Sequence, residues 1–574
     1  MNTRKLRHRP QTCLGSRWVF RFVLCSAGLT ALVAQVATGL VADVTLATAA
    51  ALSHGPLISD VTPDHVQIWG RTNVAASVMI EYAPSGQPTF GATPSVVTSP
   101  GEDFTFTLPL SGLTADTAYD YRVLLDGVPS AVRTFRTAKP DGDSTEFTVA
   151  FASDAFHSAA STVWGALASK SPAGFFIIGD FDHSNPVSNT TTATAYLGKL
   201  RLMHRRLRGP ETPIGVDFAA NVVEPGLPMF GRMLDDHDSG SDNVNSRFKW
   251  WGPNLQAFRE YHPIPADNGF SSGGMWQAIQ RGRALFVLID VRSQRDPLGL
   301  KTIVGNVQKQ WLIEKLTQCK TDPTLTWCVL VTPVPFNPNQ QKLDSWHGYS
   351  ADSQWLLDQI AALQVPNVLV VSGDCHWGSI VRKPLSPLDE LNIPKVNDGF
   401  GNTCNNQPAQ WTLNSAAGKN GFGLLTLRAN EAVMAIYNTD GTLRMSSTVL
   451  AQGADGGADG DGDGVPDSTD QCPDVPGVAP DGCPFEGGDV TQTFTRTRDG
   501  EQFQVSVPPY VCRRLTGGTS VLRIIKTVNA TEQILKSVSV QNPAKGVPFD
   551  LRCQVIPTAV NLYLDGILKA TAAP

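Results

Sequence analysis

Positive charge is in deficit over the sequence as a whole. It holds 46 Lys and Arg residues against 52 Asp and Glu residues, so the formal net charge is −6. Residues 1–50 carry six of the basic residues and one acidic residue, and the remaining chain has a net charge of −11. Nucleic-acid binding needs clustered positive charge, and an acidic excess gives no attraction to anionic lipid. The composition therefore indicates neither nucleic acid nor a charged membrane surface as partner.

The sequence also lacks a long apolar run after residue 50. No later segment has the roughly 18 uninterrupted apolar residues of a membrane span, so we expect no transmembrane segment there. Residues 1–50 combine a basic start, an apolar stretch from Phe22 to Leu40 and a small-x-small site at Ala47–Ala49. This pattern predicts a signal peptide, with a retained membrane anchor as the alternative. We expect an exported protein, whether periplasmic, cell-surface or extracellular, by a route that the sequence leaves open.

Cysteine is sparse, and an even number of Cys residues follows the predicted signal peptide. Eight of the ten Cys residues follow residue 50, and in an oxidising compartment an even set predicts disulfides. Proximity and domain favour three pairs, namely Cys319–Cys328, Cys472–Cys483 and Cys512–Cys553. Cys375 and Cys404 remain as candidates for free thiols.

At 574 residues the chain is too long for one core, and its pattern changes predict several domains. Short alternating strands over 54–138 predict a β-sandwich. Apolar strands alternate with helical segments over 144–450, and continuous apolar strands imply a sheet covered on both faces, hence an α/β core. A Gly/Asp-rich linker occupies 455–484, and strands over 487–574 predict a small β domain of unknown role.

The predicted sandwich has the aromatic order of a known fold. Trp69 lies on an early strand, and Tyr119 and Tyr121 follow a turn-rich segment. This order resembles a fibronectin type III-like domain with its tyrosine corner. Core packing explains these aromatic residues, so we assign the domain no chemistry.

Polar clusters follow directly on four apolar strands of the α/β region. The clusters are Asp154; Asp180, Asp182 and His183; Asp235 to Asp238 with Asp242 and Asn243; and Asp374 with His376. Open α/β sheets place their sites beyond the carboxyl ends of strands. One such residue usually caps a helix or closes a turn. Four clusters in one domain indicate a shared metal centre, because the like charges would repel without a cation.

The ordered segments SD, GDFDH, DDHD, IDVRSQR and SGDCHWG resemble the PhoD-like alkaline phosphatase branch of the calcineurin-like metallophosphoesterases. FREYHP, VQKQWL and TPVPF support the resemblance, which spans roughly residues 145–450. It implies a four-layer αββα fold, two or more metals and hydrolysis of phosphate esters. The amino-terminal sandwich fits the family's usual first domain.

The resemblance also implies roles for single residues. The implied metal ligands are Asp154, Asp180, His183, Asp236, Asn243, Asp374 and His376. Asp180 would be shared between metals, and His376 would complete the first metal's shell. Asp236, Asn243 and Asp374 are candidates for the second metal and its supporting shell.

Three further residues are implied to act on the phosphoryl group. His237 of DDHD is the candidate for transition-state stabilisation or proton donation. Arg292 and Arg295 match the family's Asp-x-Arg-x-x-Arg phrase, and a guanidinium suits bidentate binding of phosphate. The alternative for both arginines is a salt bridge to Asp290 or to a neighbouring acid.

Two departures from the family affect the metal. Asp154 stands where many members have Cys, and His183 stands where they have Tyr. The family implies iron with calcium, but oxygen and nitrogen ligands widen the choice to Mn or Zn. His157 could replace or assist a ligand, although such a residue more often lies at the surface or caps a helix.

The linker carries an Asp register typical of a calcium loop. The positions are Asp459, Asp461, Asp463, Val465 (through its carbonyl), Asp467 and Asp470. With the CP and GCP segments that follow, this resembles a thrombospondin type 3 repeat and predicts structural calcium. A flexible acidic linker is the alternative.

These patterns predict hydrolysis of phosphate mono- or diesters by metal-activated hydroxide. One alternative is a phospholipase D-like phosphodiesterase acting on lipid or cell-wall polymer. Another is a surface adhesion or matrix-binding protein with a decayed core, which would make its contacts through the C-terminal domain.

Overall fold

The computed structural model describes most of the chain after the leader. The described residues are 48–183, 190–240, 242–297, 302–337, 343–383, 386–397, 404, 420–452, and eight strands between 488 and 572. Residues 1–47 of the predicted signal peptide (1–50), the calcium-loop residues and the Cys472–Cys483 pair lie outside them. Within these ranges, no helix combines the length and the apolar character that a bilayer crossing requires.

The amino-terminal region is built from nine short strands. They are β1 (Leu52–Ser59), β2 (His65–Thr72), β3 (Ser77–Pro84), β4 (Gly91–Ala92), β5 (Val96–Val97), β6 (Thr105–Ser111), β7 (Ala118–Leu125), β8 (Val128–Pro129) and β9 (Arg133–Arg136). Strands β1, β2 and β6 form one antiparallel set, and β3 and β7 carry the other. Alternate residues of β2, such as Val66 and Ile68, share a buried core with Val78 and Ile80 of β3. The Tyr119 hydroxyl accepts the Thr114 N–H at 2.9 Å.

The first large sheet joins this region to the α/β region. Its other strands are β10 (Phe147–Ala152), β11 (Gly174–Ile178), β12 (Met229–Met233), β19 (Gly421–Leu427), β20 (Glu431–Asn438) and β21 (Leu443–Leu450). The strand order is β21-β20-β19-β10-β11-β12-β1-β2-β6. Strand β1 pairs in parallel with β12 through Ser59 and Met229. The amino-terminal strands therefore continue the sheet that carries part of the candidate site.

A second sheet of six strands faces the first. Its strands are β13 (Gln277–Arg281), β14 (Ala284–Leu288), β15 (Trp327–Thr332), β16 (Val368–Ser372), β17 (Ser379–Val381) and β18 (Asp389–Asn392), in the order β13-β14-β15-β16-β18-β17. The α-helices are α1 (Val163–Ala168), α2 (Ala193–Arg206), α3 (Pro213–Phe218), α4 (Trp251–Tyr261), α5 (Gly305–Thr321) and α6 (Ser350–Leu363).

The alternation of side chains along the strands defines four layers. Phe176 of β11 points between the sheets, where its ring lies 5.0 Å from that of Phe286 of β14. Its neighbour Phe175 points outward and packs on Trp164 of α1. In the second sheet, Val287 points outward into the cluster that holds Leu312 of α5. The order is therefore helix, sheet, sheet, helix, in agreement with the predicted α/β core.

The last described strands form two antiparallel sheets of four. They are β22 (Gly488–Thr495), β23 (Gln502–Val507), β24 (Tyr510–Leu515), β25 (Ser520–Val528), β26 (Thr531–Val540), β27 (Pro548–Ile556), β28 (Ala559–Leu564) and β29 (Ile567–Ala572). One sheet is β22-β27-β28-β29 and the other is β23-β24-β25-β26. The predicted Cys512–Cys553 pair concerns side chains outside the described part.

Two disulfides connect described cysteines. Cys319 and Cys328 are bonded, as predicted, and join the end of α5 to β15. The expectation that Cys375 and Cys404 are free is wrong, because they are bonded to each other with Cα atoms 5.0 Å apart. Their separation of 29 residues hides this proximity in the sequence.

We expect Phe176→Ala to lower the free energy of unfolding by about 3–5 kcal/mol, because it empties a buried space between the sheets. Phe151, Phe230 and Phe286 all have rings within 6 Å of it. Equilibrium urea unfolding would measure the change, with the exposed Val128→Ala as control. A loss as small as that of the control would contradict the two-sheet core.

Candidate metal centre

The site is built at the ends of four strands by the same local geometry. Asp154, Asp180, Asp235 and Asp374 each come two residues after the last residue of β10, β11, β12 and β16, respectively. Asp154, Asp180 and Asp374 have left-handed backbones, with φ of 54°, 45° and 63°. His376 and Asn243 share this conformation, at 61° and 57°. Such φ values are costly for residues other than glycine and cluster at functional sites.

The strand ends converge into three groups of donor atoms. Within each group, the donor atoms lie within 4.8 Å of one another. The groups are Asp154 with Asp374 and His376; Asp180 with His183 and His237; and Asp180 with Asp235 and Asp236. Six of the seven predicted ligands fall in these groups. Asp180 belongs to two of them, as a residue shared between metals would. Asp374 groups with Asp154 and His376, whereas the sequence assigned it to the second metal.

The donor atoms fit a cation. Oδ1 of Asp154 and Oδ2 of Asp180 are buried and accept no hydrogen bond from the described residues. The other oxygen of Asp180 accepts the backbone N–H of His237 at 3.0 Å. Burial, followed by repulsion from Asp235 and Asp236, raises the pKa of Asp180 well above its usual range. Carboxylates with imidazoles suit Fe, Mn or Zn, and a cation at this position would relieve the repulsion.

The three site histidines lie against one another. The ring centroid of His183 is 3.6 Å from that of His237 and 4.9 Å from that of His376. Nε2 of His376 lies 3.3 Å from Oδ1 of Asp154. Burial lowers the pKa of His237, in spite of Asp236 nearby. A lowered pKa keeps the His237 imidazole neutral near pH 7.

The two predicted phosphate-binding arginines are completely buried. Arg292 donates through Nε to Asp235 and through Nη1 to Asp344, and its Nη2 lies 3.6 Å from Oδ2 of Asp236. Arg295 pairs with Asp344 at 2.5 Å. Burial alone would lower the pKa of Arg292, but the three carboxylates raise it well above its usual value. The guanidinium groups thus face the acids of the site.

Asp344 is a site residue that the sequence did not single out. The Asp344 carboxylate pairs with both Arg292 and Arg295. In the orientation of the Asn243 amide that satisfies its hydrogen bonds, the amide nitrogen donates to both oxygens of Asp344, at 2.8 and 2.9 Å. The Asn243 backbone N–H donates to Asp236 at 2.8 Å. Asp344 follows no apolar strand, so the strand-end pattern carries no signal for it.

Asp238 links two of the site segments. It accepts the N–H groups of Phe181 and Asp235, both at 3.0 Å, and pairs with the buried Arg232. The segment after β11 and the segment after β12 are thereby held together.

His157 lies 3.1 Å from Asp182 and belongs to none of the three groups found among the described residues.

Comparisons with known proteins agree with this architecture. Residues 241–396 match the family model of the PhoD-like phosphatases, and residues 49–140 match a domain family of unknown function (DUF7800). The solved structure of PhoD is 20% identical, with a TM-score of 0.55 over 69% of this chain and 88% of that chain. A purple acid phosphatase from seeds of yellow lupin (Lupinus luteus) is 12% identical, with a TM-score of 0.49 over 70% and 74%. No curated protein matches this chain.

The family match and the fold support an enzyme that hydrolyses phosphoester bonds. The matched segment includes Asn243, both arginines, Asp374 and His376. The remaining predicted ligands precede it, and their place in the site comes from the geometry of β10, β11 and β12.

We expect Asp180→Asn to abolish turnover and reduce the rise in melting temperature that metal produces, without lowering the melting temperature of the metal-free protein. The amide oxygen of Asn can still accept the backbone N–H of His237. The substitution also removes an ionisable group whose charged form is disfavoured by burial and by Asp235 and Asp236. Differential scanning fluorimetry with and without metal measures this, with Asp358→Asn on the exposed side of α6 as control. Unchanged turnover would remove Asp180 from the site.

We expect Asp344→Asn to cost the metal-free protein about 3–5 kcal/mol, because two buried guanidinium groups lose their shared carboxylate. Urea unfolding compared with Asp358→Asn measures the loss. A cost below about 1 kcal/mol, the scale of an exposed ion pair, would mean that Asp344 does not hold the arginines.

Proposed function

We propose that the chain is an exported metal-dependent phosphoesterase acting on phosphate mono- or diesters. The observation that carries this proposal is the membership of Asp180 in two overlapping groups of donors at the strand ends. Bound metal ions would neutralise phosphoryl oxygens and supply hydroxide for in-line attack. The disulfides support export, because such bonds persist in oxidising compartments.

The proposed ligands divide into two sets around Asp180. Asp154, His183 and His376 would hold the first metal. Asp236 and Asn243 would hold the second, and Asp235 lies within reach of the same ion. The Asp374 donor groups with those of Asp154 and His376, and its charge also raises the pKa of Asp235. Arg292 and Asp344 would keep Asp235 and Asn243 in place.

His237 is the proposed group for the phosphoryl oxygens and the leaving group. It is partly exposed beside buried ligands, and its Nε2 lies 3.3 Å from the exposed carboxylate of Asp242. A neutral imidazole can donate one N–H to a phosphoryl oxygen, whereas proton transfer to the leaving oxygen requires the ring to be protonated first, and it then returns to the neutral form. The contact with Asp242 would orient the ring.

Other parts of the chain would support the enzyme. The Tyr119 hydrogen bond supports a fibronectin type III-like amino-terminal domain. Residues 455–484 would form a thrombospondin type 3-like repeat that binds structural calcium, and the C-terminal β domain would contact a surface or matrix. Iron with calcium is the family's metal pair, and Mn or Zn also suits these ligands.

Activity on paired chromogenic substrates tests the proposal. We expect purified protein to hydrolyse p-nitrophenyl phosphate, bis(p-nitrophenyl) phosphate or both, and to lose turnover after chelation and regain it with metal. Elemental analysis of the same sample identifies the metals, and a truncation ending at residue 452 separates core metal from linker calcium. If metal-replete protein hydrolyses neither ester, a decayed core is the better explanation.

A further inference from the structure

The Cys375–Cys404 disulfide lies inside the proposed metal-binding segment. Cys375 is the residue between Asp374 and His376, whose donors group with Asp154. Cys375 is fully buried and Cys404 nearly so, and both pack with the buried Trp377. The residue between two proposed ligands is therefore cross-linked through its side chain to another part of the chain.

The backbone on both sides of this bond is strained. Asp374 and His376 have φ of 63° and 61°, a left-handed conformation that is unfavourable for residues other than glycine. Two such residues within a segment of three persist only where the surroundings hold them. Before the segment, Gly373 is held by its N–H to Pro333 O and by Asn392 donating to its carbonyl, both at 3.0 Å. The disulfide adds a covalent cross-link at Cys375, next to this point.

We propose that Cys375 and Cys404 are positioning residues for the metal centre, whose disulfide holds the Asp374 and His376 donors toward Asp154. The inference rests on the proposed function. Without the bond, the strained segment can relax to ordinary φ values, and relaxation turns both donors away from Asp154. Metal affinity then falls even where the fold is retained.

The chain contains its own control for this inference. The Cys319–Cys328 disulfide joins α5 to β15 on the outer side of the second sheet, in the cluster that packs the helices. It flanks none of the proposed ligands. Loss of either disulfide removes one covalent cross-link, but only loss of Cys375–Cys404 acts next to the donors.

The experiment compares C375S/C404S with C319S/C328S. Each protein is stripped with chelator and titrated with Mn²⁺ and with Zn²⁺, with calorimetry for affinity and phosphoesterase turnover for half-saturation. We expect C375S/C404S to bind about tenfold more weakly or worse, the scale for loss of a group that orients a metal ligand, while C319S/C328S keeps wild-type affinity. Equal affinities in the two variants would overturn the inference, whatever their melting temperatures.

A second measurement covers failure of C375S/C404S to fold. Folded wild-type protein is treated with a water-soluble phosphine, which is oxidised to its oxide with oxygen from water as each S–S bond becomes two thiols. Alkylation and mass spectrometry then give the cleaved fraction of each disulfide. Metal affinity should fall with cleavage of Cys375–Cys404 and not with that of Cys319–Cys328; the reverse, or no dependence, contradicts the inference. Wild-type protein that neither binds metal nor turns over ester would instead defeat the proposed function.

Discussion

Repulsion among carboxylates buried in one space is the constraint on which the rest of the site depends. Asp154, Asp180, Asp235, Asp236 and Asp374 are all buried, and the pKa of Asp180 and of Asp235 is raised well above the usual range by burial and by acidic neighbours. Arg292 offsets part of this charge, but it faces Asp235 and Asp236. A bound cation would neutralise the remaining negative charge around Asp180. The arrangement of the carboxylates therefore fits a metal-dependent enzyme.

The surrounding structure holds these groups together through stiff connections. Strand ends from both sheets reach the site, and left-handed turns direct the side chains inward. Asp238 links the segments after β11 and β12, and Asp344 links Asn243 to both arginines. Such outer contacts fix the orientation of ligands, which otherwise would move apart under their own repulsion.

Strand ends were the most predictable part of the molecule. Apolar runs ending in Asp or His located Asp154, Asp180 and Asp374, because the continuous apolar pattern of a strand buried on both faces and the placement of sites at carboxyl ends are local rules. The contacts of Asp344 with the arginines and the Cys375–Cys404 bond join segments that are far apart in the sequence. No local sequence pattern predicts such contacts. The pairing of β1 with β12 joins segments about 170 residues apart, and separate sequence patterns gave no reason to connect them.

The charge of the proposed first shell depends on two residues, Asp154 and His183, that differ from those of the phosphatases that the sequence resembles. Asp154 in place of Cys keeps one negative charge, whereas neutral His183 in place of Tyr removes the charge of a tyrosinate. The His183 ring packs on two other imidazoles, His237 and His376, and its Nε2 lies 3.7 Å from Oδ2 of Asp180. Removing one negative charge from a ligand set weakens the attraction of a trivalent ion more than that of a divalent ion, since Coulomb attraction scales with the product of the charges. On the proposed assignment, the two substitutions therefore make the first site less selective for ferric iron than a site with thiolate and tyrosinate ligands.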